Sequence, residues 1–186
     1  MGDLMATTGQ SDGGQDGTRL GRFLADRGVI ILKEMRPVGS MKCNHGAKIS
    51  VETMILTTAK SSTRISDKSF GIRFETIDSD ERERIANLDF DESEEFGKAV
   101  TYFFDVAKRI ILEQRDYTEA TFSTKDGIQV GFYQDVDQNQ TAFFRVGSSG
   151  DLLFFRPEDL PKIRSLVDQT RAHLMKKGAG AELQTP

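Results

Sequence analysis

The sequence predicts an α+β fold of two consecutive ββββα units, antiparallel sheets each followed by one helix. Three observations carry this expectation. "FDESEEF" at 90–96 and "FRPEDL" at 155–160 each pass from a strand-ending phenylalanine into acidic residues that suit a helix start. Behind each corner stand several short runs with period-two alternation or β-branched composition. Beyond each corner an apolar stripe recurs every three or four residues.

The elements follow in order. Residues 1–20, rich in Gly, Asp, Gln and Thr, are expected to form a disordered tail, as are 178–186. No basic start or apolar h-region marks 1–20 as a secretory signal. "RLGRFLADR" at 19–27 predicts a short helix. "GVIILKEM" predicts a strand, and "RPVGSMKCNHG" a turn region broken by Pro37, Gly39 and Gly46. "AKISVETMILTTA" predicts a long strand, "STRIS" a short one, and "SFGIRFETI" a strand with Phe70, Ile72 and Phe74 on one face. "RIANLDF" predicts a further strand.

The first helix is expected over 91–114. Asp91 is placed as its N-cap, and Glu94 as the reciprocal partner of a capping box. Phe96, Val100, Phe103, Ala107 and Ile110 form its stripe. In the second half "TEATFST" and "IQVGFYQD" flank "KDG", an Asp-Gly turn expected to be type I′. "TAFFRVG" and "LLFF" give the last strands. Pro157 suits a first helical turn, and Leu160, Ile163, Val167, Thr170 and Leu174 mark a helix over 157–176. The expected core is Phe70, Ile72, Phe74, Phe96, Val100, Phe103, Ile128, Val130, Phe132, Leu160, Ile163 and Val167. The folded domain is expected over 21–177, with repeats at about 28–114 and 115–177.

The composition matches a single globular domain with a core. No apolar run is long enough to span a membrane as a helix. The single cysteine, Cys43, cannot close an internal disulfide and fits a cytoplasmic setting. Two histidines and one cysteine make a zinc site unexpected, and no metal or cofactor is expected. Charge is unevenly spread: 29–74 carries eight bases against three acids, and 75–95 carries ten acids against two arginines. This places a basic segment beside an acidic one.

"HGAKISVET" is similar to, though not the same as, the Gly-Lys-Ala-rich start that leads into a strand in plant Whirly proteins. "SFGIRFETI", the charged loop after it and "LDFDESEEFGKAV" resemble that family's third strand, loop, fourth strand and helix start. "TKDGIQVGFYQ" and "FFRVGSSGDLLFFRPEDL" resemble its second repeat. The chain over 46–178 thus resembles the Whirly-like superfamily of single-stranded DNA-binding transcriptional regulators, which includes the Pur proteins and the trypanosome guide-RNA-binding proteins. The family's Lys-Gly-Lys-Ala-Ala-Leu motif is absent. The resemblance implies single-stranded DNA or RNA laid across sheet faces, on a homo-oligomer that is usually a tetramer.

The residues add an expectation of their own. Single-strand binders need aromatic faces for bases and cations for phosphates. Opposite the expected core faces lie Tyr133, Phe143 and Arg145, an expected stacking platform. Lys48, Arg64, Lys68 and Arg73 are the expected phosphate contacts of the first half. The competing class is a protein-interaction or oligomerisation module, favoured by near-neutral charge: 24 bases and 25 acids over 21–177. A dimer or tetramer is expected on either account, because open sheets leave edges to cover.

No catalytic constellation is expected. Cys43 and His45 lie in a turn and lack an orienting third group. Asp89, Asp91, Glu92, Glu94 and Glu95 sit where a helix dipole favours acids. "GSSGD" lacks the lysine of a phosphate-binding loop.

Overall fold

The computed structural model describes residues 17–59, 67–110, 116–147 and 150–181. Two four-stranded antiparallel sheets and three helices make up the described α+β fold. The first sheet holds β1 (Ile30–Lys42), β2 (Lys48–Ala59), β3 (Lys68–Ile77) and β4 (Glu83–Asp89), in that spatial order. The second holds β5 (Thr118–Ser123), β6 (Ile128–Gln134), β7 (Gln140–Val146) and β8 (Leu153–Phe155), also in chain order. Helix α1 (Arg19–Ala25) precedes the first sheet, α2 (Ser93–Ile110) follows it, and α3 (Leu160–Lys176) follows the second.

The alternation read in the strands becomes two inner faces that share one core. Phe74 of β3 lies 5.3 Å from Phe144 of β7 and 5.6 Å from Phe96 of α2, ring centre to ring centre. All the residues expected in the core are buried. The helices cross over: α2 packs on β5 and β6, whereas α3 packs on β1, β2 and β3. Each sheet is therefore covered by the helix that follows the other sheet. Arg171 of α3 ties the two helices together. It donates to the Phe90 carbonyl (3.3 Å) and the Ser93 hydroxyl (2.5 Å), and its guanidinium lies 5.0 Å from the Phe90 ring centre.

Several local expectations are corrected. Pro37 and Gly39 do not end a strand; they lie inside β1, where the pairing with β2 shifts register between them. β1 is an edge strand, so a proline without an N–H and a bulge are tolerated there. The turn is confined to Asn44–Gly46, where His45 and Gly46 both take positive φ (56° and 80°). The Asp-Gly turn is not type I′. Only Gly127 has positive φ (74°), and its N–H bonds to the Thr124 carbonyl at 3.1 Å. That is a type I-like turn closed by a left-handed glycine. Asp91 is not the helix cap either: α2 starts at Ser93, after a turn in which the Ser93 N–H bonds to the Phe90 carbonyl at 3.3 Å. Glu94 turns away from the helix start, toward Lys98 (3.1 Å) and Arg171 (3.4 Å).

The expected tails are also too long. The Thr18 hydroxyl caps α1 through the Gly21 N–H (2.9 Å), and Leu20 is fully buried against Met54 and Leu56 on the outer face of the first sheet. A side chain at Gly71 would collide with Leu20, so glycine there lets α1 dock. The Asp89 carboxylate accepts the N–H groups of Arg19 (2.5 Å) and Leu20 (3.0 Å), which the start of a helix leaves without internal partners. At the other end Gly178 (φ 102°) turns the chain so that Ala179 is buried and its N–H reaches the Leu174 carbonyl (3.1 Å). The expected "STRIS" strand and the end of the first helix at 111–114 lie outside the described residues.

Candidate nucleic-acid interface

The outer face of the second sheet is set by strand alternation. Ile128, Val130 and Phe132 of β6, and Ala142, Phe144 and Val146 of β7, are buried on the inner face. Gln129, Gly131 and Tyr133, paired with Arg145, Phe143 and Thr141, therefore face outward. Phe143 pairs with Phe154 of β8 on the same face. Gly131 leaves a gap in the middle of this face, and the Phe143 ring fills it. An added Cβ at Gly131 would stand 2.7 Å from the Phe143 Cζ.

Phe143 is consequently only 4% exposed. It was expected as an open stacking surface and is instead the floor of a trough. The rings that keep some exposure are its neighbours: Tyr117 is exposed, and Tyr133 and Phe154 are half-buried. Tyr133 stacks on Tyr117 (6.2 Å, 25°) and meets Phe154 edge-on (6.4 Å, 88°). Tyr117, Tyr133, Phe143 and Phe154, with Glu119, Thr121, Gln129, Arg145 and Leu152, enclose an open cavity of about 360 Å³.

The polar groups are ordered along the trough. At one end Arg145 donates to the Gln129 side-chain oxygen. The Arg145 Nε is buried and has no hydrogen-bond partner among the described residues. At the other end the Glu119 carboxylate accepts the Tyr117 hydroxyl (2.6 Å) and the Thr121 hydroxyl (3.1 Å). The hydrogen bond to Glu119 holds the Tyr117 phenol above its ordinary pKa. Gln129 and Tyr133 are four residues apart on β6, so the two ends are separated by about 13 Å of strand.

Three of the seven expected contacts meet here: Tyr133, Phe143 and Arg145. The rest lie elsewhere. Arg73 is on the outer face of the first sheet and only 12% exposed, with Glu52 at 2.7 Å, Glu75 at 2.8 Å and Glu83 at 3.7 Å. Lys48 is exposed on that same face, beside Ile77. Lys68 is exposed at the start of β3 and lines a separate cleft below α1 with Arg19, Asp67 and Lys177. Arg64 lies outside the described residues. Because the inner faces meet at Phe74 and Phe144, the two outer faces point away from each other. Tyr117, Glu119, Thr121 and Phe154 were missed, yet period two could have found them: Ala120 and Phe122 pack on the core, as do Leu153 and Phe155.

The residues weighed for catalysis have other partners. Burial, with the nearby Asp159 carboxylate, pushes the Cys43 thiol up to about 12, far from the thiolate a nucleophile needs. Asp89 caps α1, Glu95 pairs with Lys98 (2.8 Å), and Glu92 accepts the Lys125 N–H (3.2 Å). Partial burial raises the Glu92 pKa. None of the described helices is long and apolar enough to cross a membrane. No family model, curated protein or solved structure matches the chain.

Proposed function

We propose that this is a non-enzymatic, single-stranded nucleic-acid-binding protein, a transcription or nucleic-acid maintenance factor that works in the cytoplasm. The trough on the second sheet is its base-stacking surface. The observation that carries this is the set of three rings, Tyr117, Tyr133 and Phe154, around an open cavity with a guanidinium at one end. Unpaired bases offer flat apolar faces that stack on such rings whatever their identity. Arg145 supplies the cation for a phosphate. The element order β1–β4–α2–β5–β8–α3 supports a reading as two ββββα repeats of the Whirly type. Arg73, held by Glu52 and Glu75, serves the first sheet in this scheme and not a phosphate.

Fluorescence anisotropy with labelled single strands at low salt tests the proposal. Wild type binds in the micromolar range, and binding weakens as salt rises because phosphate contacts release counterions. Tyr133→Ala loses about 1–3 kcal/mol of binding, the usual value of one base–aromatic stack. Arg73→Ala leaves affinity unchanged. Absence of binding at tens of micromolar, or equal affinity for duplex, sinks the idea.

A second reading, self-association through an interaction surface, is favoured by the free edge of the first sheet. On β1, Ile30 is 73% and Leu32 58% exposed. An edge strand carrying exposed apolar side chains suits pairing with another copy. Light scattering should then return at least twice the chain mass of 20.8 kDa, and Leu32→Lys should restore the monomer. A monomeric wild type at micromolar concentration refutes this reading.

A further inference from the structure

We propose that the cleft below α1 is a second binding site, which takes the phosphate group of a small, hydroxyl-bearing phosphomonoester. It lies on the outer face of the first sheet and does not depend on the trough. Strand pairing sets its floor. Met54 and Leu56 of β2 pack against Leu20 of α1 on that face. Thr58, two residues beyond Leu56, continues the same face, and Ser69 of β3, paired with Leu56, joins it. The apolar seam under α1 thus ends in two hydroxyls. Thr58 is 2% and Ser69 0% exposed, and neither hydroxyl has a hydrogen-bond partner among the described residues. Both residues line an open cleft of about 670 Å³. Buried hydroxyls without partners are uncommon, and an acceptor brought by a ligand satisfies them.

The charges around the hydroxyls select the ligand. Lys68 at the start of β3 and Lys177 at the end of α3 line the cleft with Arg19 of α1. Neither lysine is paired with a carboxylate among the described residues. Hydroxyl donors beside ammonium groups suit an oxyanion. The Thr58 N–H reaches the Asp67 carbonyl (3.0 Å), so Thr58 stands opposite Asp67 and diagonal to Ser69, at a spacing of roughly 7–8 Å. A phosphate has three terminal oxygens, enough for both hydroxyls and a lysine at once. The cleft is larger than a phosphate and falls in the range of roughly 300–1,000 Å³ that holds small molecules. Half-buried Phe23 gives it an apolar wall. Exposed Asp26 and Asp67 also line it. Ionised carboxylates only accept, so they suit ligand hydroxyls and disfavour a second phosphate. Three cations against two carboxylates thus match one terminal phosphate better than a nucleic-acid backbone with a charge at every residue.

Titration of the ¹⁵N-labelled full chain with inorganic phosphate, AMP and adenosine, at fixed pH and ionic strength, tests the proposal through amide shifts. Phosphate and AMP should both give saturable shifts at Thr58, Ser69 and Lys177. AMP should bind about tenfold tighter than phosphate, because its ribose and base fill the rest of the cleft. Adenosine, without the charged group, should bind about tenfold weaker than AMP. Ser69→Ala and Thr58→Val each remove one hydroxyl with little change of shape. Each should weaken AMP about tenfold, as loss of a hydrogen bond to a charged group does. Each should leave the melting temperature of the free protein unchanged or raised, since a buried hydroxyl without a partner does not support the fold. Hydroxyls that only hold the structure would do the reverse: the variants would melt lower and bind AMP as wild type does. That result, no saturable shifts at these residues, or equal affinity for adenosine and AMP overturns the proposal. Phosphate bound as tightly as AMP reduces the site to an adventitious ion only and overturns it too. So does displacement of AMP by an oligothymidylate single strand, which would assign the cleft to a phosphodiester backbone.

Discussion

Replacing Phe74 by alanine is expected to lower the stability of the fold by about 3–5 kcal/mol, the usual range for a buried phenylalanine. Phe74 is fully buried on β3, and its ring contacts Phe144 of the second sheet and Phe96 of α2. One side chain thus joins three layers, and its loss leaves a cavity that neither sheet alone can close. A domain holds roughly 5–15 kcal/mol in all, so the variant approaches the threshold of unfolding. In a chain of this size each kcal/mol moves the melting temperature by about 2–4 °C, so a fall of roughly 6–20 °C is expected. Urea melts should show a lower midpoint with an unchanged slope. Tyr102→Ala on the exposed side of α2 is the control, expected within about 0.5 kcal/mol of wild type. A loss below about 1 kcal/mol for Phe74→Ala would mean that the two sheets do not share one core.

The same phenylalanine shows why the architecture could be read early. Period two in "SFGIRFETI" puts Phe70, Ile72 and Phe74 on one face, and the three- and four-residue stripe of α2 brings Phe96 to meet them. Such patterns depend only on backbone geometry, so they survive in a single sequence. The crossing of the helices could not be read. Nothing in a stripe says which sheet it will cover, and that choice lies in contacts such as Arg171 with Phe90. Pro37 misled for a related reason. Its meaning depends on whether β1 is an edge, which only the pairing order shows.

The candidate site was legible in part, and its failures have physical causes. Alternation correctly sent Tyr133, Phe143 and Arg145 to one face. It could not tell an outward residue from an exposed one. Phe143 faces out and is still buried, because its neighbour on β6 is Gly131 and its partner on β8 is Phe154. Alternation also put Arg73 on the outer face of its strand, where it lies, but could not show its ion pairs: the carboxylates that hold it come from β2, β3 and β4, and only the register brings them together.

Gly131 accordingly carries the second large prediction. In a strand, glycine to alanine is ordinarily favourable by about 0.4–1 kcal/mol, since it removes freedom from the unfolded chain. Here the sign reverses. A Cβ at this position would overlap the Ala120 carbonyl oxygen, stand 2.7 Å from the Phe143 Cζ and lie 3.1 Å from the Thr121 Cα. Two of these neighbours are backbone and cannot rotate away, so the strand must shift or the Phe143 ring must leave. Overpacking of this kind costs about 1–3 kcal/mol, which outweighs the entropic gain. Phe143 lines the trough together with Tyr133 and Phe154, so a ring pushed off Gly131 enters that space. Gly131→Ala should therefore melt several degrees below wild type and also lose binding of single-stranded oligonucleotides, as the displaced ring occupies the space of a base. Gly180→Ala, where a Cβ meets nothing within 4 Å, should change neither measurement. A Gly131→Ala protein that melts with wild type would show that the close approach of β5, β6 and Phe143 is not what shapes the trough. One that melts lower yet binds oligonucleotides unchanged would place the bound strand somewhere other than on Tyr133.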